Sequence, residues 1–182
     1  MNHGDGYFPL RLNYLMPKVH DDVYDKNFGF EYSNVWSCRA SGLFILKYQV
    51  SFIWLSRERI DCDERIIIPL TTSGIQINLF GDSRIAIKPY TTIGWNPSYY
   101  HYDGMYYDNY GTGTYTYEDD WYFNSWAWNY GVDIDIWISK GFGISLGYEQ
   151  TVYLESMGYG HYECYARDLY LRYSTFKIGL IF

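Results

Sequence analysis

Trp126-Ala127-Trp128-Asn129-Tyr130-Gly131-Val132-Asp133-Ile134-Asp135-Ile136-Trp137-Ile138 alternates large apolar residues with small or polar ones along most of its length. Its even positions are all large and apolar, while the odd ones include Ala127, Asn129, Gly131, Asp133 and Asp135. Period two belongs to strands, because successive side chains of an extended chain point to opposite faces. Residues 43–55 likewise set Phe44, Leu46, Tyr48, Val50, Phe52 and Trp54 against Lys47, Gln49 and Ser51. Residues 142–149 and 175–182 repeat the scheme, and weaker versions run over 8–14 and 28–32. Helical spacings of three and four are found in no long segment. The chain reads as all-β.

Two further strands are less regular. In residues 66–79, Ile66, Ile68 and Leu70 share one parity, whereas Ile75, Ile77 and Leu79 share the other. A β-bulge at Ser73-Gly74 would restore the facing, and one is expected there. Residues 85–99 contain Pro89 and Pro97, which remove ladder hydrogen bonds and imply bulges or strand ends. Counting both gives eight strands. Their connections alternate: short at 37–42, 81–83 and 139–141, long at 17–27, 56–64, 100–124 and 155–168. An up-and-down meander with its long loops at one end is the arrangement of an outer-membrane barrel. A single domain over 1–182 is expected, with the long loop at about 100–124.

Volume decides which face looks outward. The six regular segments place 28 large apolar side chains on one face. The interior of an eight-stranded barrel is only just wide enough for side chains to fill, and about twelve pack inside a comparable barrel. That face therefore belongs in lipid. The opposite face carries Gly29, Gly94, Gly131, Gly143, Gly147 and Gly179, as a crowded lumen requires. It also carries Arg11, Lys47, Lys88 and Lys177 against Glu31, Asp133, Asp135 and Glu149. Four charges of each sign predict a buried network that closes the lumen as a polar plug. A two-sheet soluble sandwich is the competing fold.

Composition adds exclusions. Of 182 residues, 23 are Tyr, 7 Trp and 10 Phe, with 19% charged and a formal net charge of −7. That balance argues against nucleic acid, which needs a basic face. No apolar run reaches the length of a transmembrane helix. Met1 opens no signal peptide, so a mature chain with its export signal removed is one expectation and a cytosolic protein the other.

The C-terminal Lys177-Ile178-Gly179-Leu180-Ile181-Phe182 resembles the terminal β-signal that the barrel-assembly machinery reads, with Lys177, Gly179 and Phe182 in the key positions. It lacks the further aromatic extension of the enterobacterial consensus. Its Gly-x-x-Phe ending is similar to that of the small outer-membrane β-barrel domain family common in Bacteroidota, of the OmpA/OmpX-like kind. Ile66-Ile67-Ile68-Pro69-Leu70 resembles that family's Leu-Glu-Ile-Pro-Leu strand, with Ile67 replacing the usual Glu. Lys88-Pro89-Tyr90-Thr91-Thr92-Ile93-Gly94 resembles its Pro-Tyr-x-x-x-Gly strand, and Tyr130-Gly131-Val132 its glycine-bearing sixth strand. The resemblance spans residues 28–182. It implies an eight-stranded barrel in the bacterial outer membrane, with the lipid and lipopolysaccharide of that membrane around it. It implies no single function.

Enzymes occur on barrels of this size, chiefly lipid A deacylases and palmitoyltransferases, and the deacylase-like pattern needs a lipid-facing His close to a Ser and oriented by a carboxylate. His3, His20, His101 and His161 lie in the N-terminal tail, the long links or at their edge, and read as solvated bystanders. His101-Tyr102-Asp103 and His161-Tyr162-Glu163-Cys164 match no recognised metal spacing, and no cofactor is called for. Cys62 and Cys164 fall in long links at the same end, which offers a disulfide between them in an oxidising compartment. Residues 99–124 hold nine Tyr, among them Tyr100, Tyr102, Tyr106, Tyr107, Tyr110, Tyr115 and Tyr117. Tyr with Gly, Asn and Asp suits adaptable recognition. The same stretch also reads as a β-rich rim above the membrane. The expected role is a non-enzymatic scaffold or accessory subunit of an outer-membrane complex for assembly, export or uptake, docked through this loop and the aromatic wall. A lipid A-modifying enzyme and a narrow solute pore are the alternatives.

Overall fold

The computed structural model describes residues 10–19, 25–37, 44–58, 62–80, 84–107, 114–154 and 172–182. Eight strands form one closed barrel in chain order: β1 (Leu10–Val19), β2 (Lys26–Ser37), β3 (Phe44–Glu58), β4 (Cys62–Ile77), β5 (Ile85–Tyr107), β6 (Thr114–Ser139), β7 (Phe142–Tyr153) and β8 (Arg172–Ile181). All neighbours are antiparallel, and β1 pairs with β8 from Arg11↔Ile181 to Val19↔Tyr173. Beyond that ladder, Leu10 and Phe182 exchange backbone hydrogen bonds of 3.2 and 3.0 Å. Closure leaves the wall without a sheet edge, which a bilayer demands because it supplies no water to unpaired backbone groups.

Period two partitions the wall as the alternation implied. Leu12, Tyr14 and Met16 on β1, Phe44 to Phe52 on β3, Trp126 to Ile138 on β6 and Phe176 to Leu180 on β8 are exposed at every second residue, apart from the half-buried Val132. The residues between them point inward, including the six glycines singled out above. At Gly94 a Cβ would stand 1.9 Å from the Thr71 carbonyl oxygen, so adjacent backbones approach too closely there for any side chain. At Gly131 it would meet the Tyr148 carbonyl at 2.3 Å and the Tyr90 hydroxyl at 2.8 Å. The absent side chain at that position is the space a lumen tyrosine fills.

Three expectations need correction. No bulge occurs at Ser73-Gly74: β4 keeps one register against β3 from Phe44↔Ile77 to Glu58↔Asp63. Ile66, Ile68 and Leu70 are at most 1% exposed because they face inward, whereas Ile75 faces out. The parity switch marks a change in what fills the lumen, from apolar to polar, rather than a slip of the chain. Pro89 and Pro97 likewise cause no bulge and end no strand. Both lie inside β5 in one unbroken register with β6, Pro89 opposite Val132 and Pro97 opposite Asn124. The irregularity that does occur lies at Trp137/Ser139, in the β6–β7 pairing. Finally, 100–124 is not a loop. β5 and β6 stay paired from Ile85↔Ile136 to Tyr107↔Thr114, which leaves residues 108–113 as the connection.

Candidate functional site: the lumen and the ribbon

The lumen has two halves. Towards the end that carries the termini, all eight predicted charges converge. Arg11 lies 2.5 Å from both Asp133 Oδ2 and Asp135 Oδ2. Lys47 donates to Asp133 at 2.9 Å and Lys88 to Asp135 at 2.6 Å. Lys177 bridges Glu31 and Glu149. Alternation places each of them, since Lys47, Lys88, Asp133, Asp135 and Lys177 all occupy inward parities of their strands. None is more than 5% exposed. Neutral side chains complete the shell: Asn13 donates to Glu31, Gln49 to Glu149, Gln76 to Asp133 and Ser145 to Asp135. Such bonds to charged groups are the stronger class and offset part of the cost of burying the ions.

Tyr90 joins this network, although the sequence reading assigned it no role there. Its hydroxyl donates to Glu149 at 2.8 Å, and Lys47 Nζ stands 3.3 Å from its ring centroid. The signal was present: Tyr90 shares the inward parity of Lys88 two residues before it. A tyrosine in so aromatic a chain gave no reason to look inward.

Towards the other end the lumen is apolar. Leu15, Val19, Ile53, Leu55, Ile66, Ile68, Leu70, Ala127, Tyr153 and Tyr173 form one buried cluster, against which Tyr100 packs. Tyr153 and Tyr173 meet at 6.2 Å between centroids, and Asn96 donates to the Tyr153 hydroxyl at 2.6 Å. The plug is therefore a charge network in series with an apolar core.

Outside, the apolar band ends where β5 and β6 continue. The ten steps from Ile85 to Trp95 climb about 25 Å at the usual rise and tilt, the height of the hydrophobic belt. Trp95 pairs across to Trp126, and both are 48% exposed, which suits an interfacial girdle. Above them the two strands continue as a ribbon, which β4 accompanies along β5 as far as Cys62↔Gly104. At its foot Tyr99 donates to Asp120 Oδ1 at 2.7 Å, and His101 Nδ1 meets the same oxygen at 2.7 Å. Tyr99 also stacks on His101 and tilts against Tyr122, which is 82% exposed. The hydrogen bond to Asp120 pushes the Tyr99 phenol up to about 12. Those from His101 and Tyr99 hold the Asp120 carboxyl below the ordinary range. His101 is thus a member of a cross-strand cluster and not a solvated bystander.

The predicted binding tyrosines divide. Tyr100 is half-buried over the apolar core. Tyr102 and Tyr106 lie on β5 opposite Asp119 and Tyr115, Tyr117 lies on β6 opposite Gly104, and Tyr107 closes the ladder against Thr114. Tyr110 falls outside the described residues. Cys62 opens β4, while Cys164 lies outside the described residues, as does the predicted pairing of the two. Among the described residues no three His, Cys, Asp or Glu side chains gather closely enough to hold a metal. Of the assembly-signal residues, Lys177 points into the lumen, and Phe182 lies outside against Phe142 at 6.0 Å between centroids.

Two solved structures share this architecture. Ail, the attachment invasion locus protein of Yersinia pestis, superposes with a TM-score of 0.58 at 14% identity, over 96% of this chain and 95% of that one. Neisserial surface protein A superposes with a TM-score of 0.57 at 12% identity, again over 96% and 95%. The fold is that of the small eight-stranded outer-membrane barrels. No family model and no curated protein matches the sequence. The outward apolar band, continuous around a closed antiparallel wall, sets the chain in the outer membrane as an integral barrel.

Proposed function

We propose that this barrel is a non-enzymatic scaffold or accessory subunit of an outer-membrane protein complex, docked through the β5–β6 ribbon and the aromatic wall beneath it. The observation that carries the reading is the length of the ribbon. A strand needs about 9–11 residues to cross a membrane, yet β5 and β6 run to 23 and 26 in unbroken register. A paired ribbon holds its tyrosines on rigid backbone, so less conformational entropy is lost when a partner docks. The filled lumen supports a scaffold over a pore. A role in assembly, export or uptake fits such a subunit, with Lys177, Gly179 and Phe182 read by the machinery that inserts the barrel. Kinship with the Bacteroidota family is part of the same proposal and rests on the Ile66–Leu70, Lys88–Gly94 and terminal motifs.

The test is affinity purification from native membranes in mild detergent, comparing the intact chain with one whose ribbon is cut back to the Trp95–Trp126 pair. Stoichiometric partners that depend on the ribbon are expected. Recovery of the intact chain alone would overturn the subunit role.

A further inference from the structure

On the outer wall of β6, β7, β8 and β1 lies a polar patch that the docking role does not use. Tyr130 donates to Gln150 Oε1 at 2.6 Å, Gln150 Nε2 donates to Ser174 at 3.1 Å, and the Tyr148 hydroxyl bonds Ser174 at 3.0 Å. Ser174 pairs in register with Lys18, and Arg172 is the diagonal neighbour of Lys18, about 7–8 Å away along the backbone. Both cations are exposed, and among the described residues neither meets a carboxylate. The adjacent cation Lys26 is already bridged to Glu58 at 2.5 Å.

Height fixes what this patch faces. Ten steps separate Phe182 from Arg172 on β8, about 25 Å along the barrel axis and so one full hydrophobic belt. Arg172 and Lys18 therefore stand at the headgroup level of the leaflet opposite the termini, which is the outer one because the short turns that face the periplasm lie at the termini's end. Directly below, Phe176, Met16 and Tyr148 are 52%, 45% and 38% exposed and offer an apolar bed for acyl chains. Two cations over a hydrogen-bonding floor, continuous with a lipid-facing bed, match an anionic headgroup joined to its own tails. Arg in particular binds phosphate through paired N–H donors.

We propose that Lys18 and Arg172, backed by Gln150 and Ser174, bind the phosphate of an outer-leaflet phosphoglycolipid of the lipid A type. The site rests on the outer-membrane placement of the barrel and is independent of the ribbon's docking role.

The test uses the full chain, purified and reconstituted with bis-phosphorylated, mono-phosphorylated or dephosphorylated lipid A, and counts retained lipid by native mass spectrometry. Retention should fall stepwise with each phosphate removed. The K18Q/R172Q double variant should bind the bis-phosphorylated form about tenfold or more weakly, whereas K26Q should match the wild type. Excess inorganic phosphate should leave retention unchanged. Equal retention of the dephosphorylated lipid, displacement by inorganic phosphate, or a double variant equal to wild type would each overturn the site. The dephosphorylated-lipid arm needs no variant, so the answer does not depend on how the substitutions fold.

Discussion

Around Asp133 and Asp135 the lumen is held by charge; further along the barrel, around Ile68 and Tyr173, it is held by apolar contact. Both halves obey one alternation and both are buried, but they differ in how they fail. An apolar cluster losing one member leaves a void whose neighbours relax. A charge network losing one member leaves an uncompensated buried ion, and the desolvation cost of that ion is fixed. The polar half is therefore the more brittle, even though replacing all of it by well-packed apolar groups would be close to neutral.

Asp133→Leu gives the largest expected effect. Asp133 accepts from Arg11, Lys47 and Gln76, so its loss strands Lys47, which is 1% exposed, and leaves the fully buried Arg11 with Asp135 alone. A destabilisation of about 3–5 kcal/mol is expected, read as a shift in the urea midpoint for unfolding from lipid vesicles. A midpoint unchanged within error would mean that water reaches these ions. Ile68→Ala in the other half removes a side chain with no exposure and should cost about 2–4 kcal/mol. If it cost more than Asp133→Leu, the contrast between the halves would be reversed.

Conductance separates the halves in a second way. If they close the lumen in series, opening the network by Lys47→Ala with Asp133→Ala should leave planar-bilayer recordings without a steady current. Current should appear only when Ile68→Ala and Tyr173→Ala are added. A steady current in the first double variant would show that charge alone closes the barrel.

The sequence carried the polar half well and the apolar half poorly, for a physical reason. Lys47, Asp133 and Lys177 each interrupt a run of outward apolar residues, so their parity is plain against the background. Ile53, Leu55, Ile66 and Ile68 face inward but look like lipid-facing residues, because both surroundings are apolar. Hydrophobicity cannot tell core from bilayer. Register can, since Ile66 and Leu55 are cross-strand partners and both face the lumen. The ribbon was hidden by the opposite problem. Its tyrosines and acids are polar enough to look like a loop, and no hydrophobic alternation announced the pairing that runs to Tyr107↔Thr114. The cluster of Tyr99, His101, Asp120 and Tyr122 exists only through that pairing, so its members stand far apart along the chain.

The smallest effect tests whether the ribbon stands apart from both halves of the lumen. Tyr99 titrates at about 12 because ionisation would break its bond to an already charged Asp120. A folded-state value raised above the ordinary phenol contributes stability that is present below about pH 10 and lost as pH rises through about 12. Asp120 is depressed, so its contribution is present above the ordinary carboxyl value of about 4 and lost as pH falls through its lowered value. The ribbon foot should therefore loosen at both extremes. Asp120→Asn should bring Tyr99 down towards an ordinary phenol, followed by ultraviolet difference absorbance with Tyr99→Phe as the subtraction control. Barrel stability should not move, because Tyr99 and Asp120 touch neither the charge network nor the apolar cluster. A shifted urea midpoint in Asp120→Asn would mean that the ribbon and the lumen are coupled through β5 and β6.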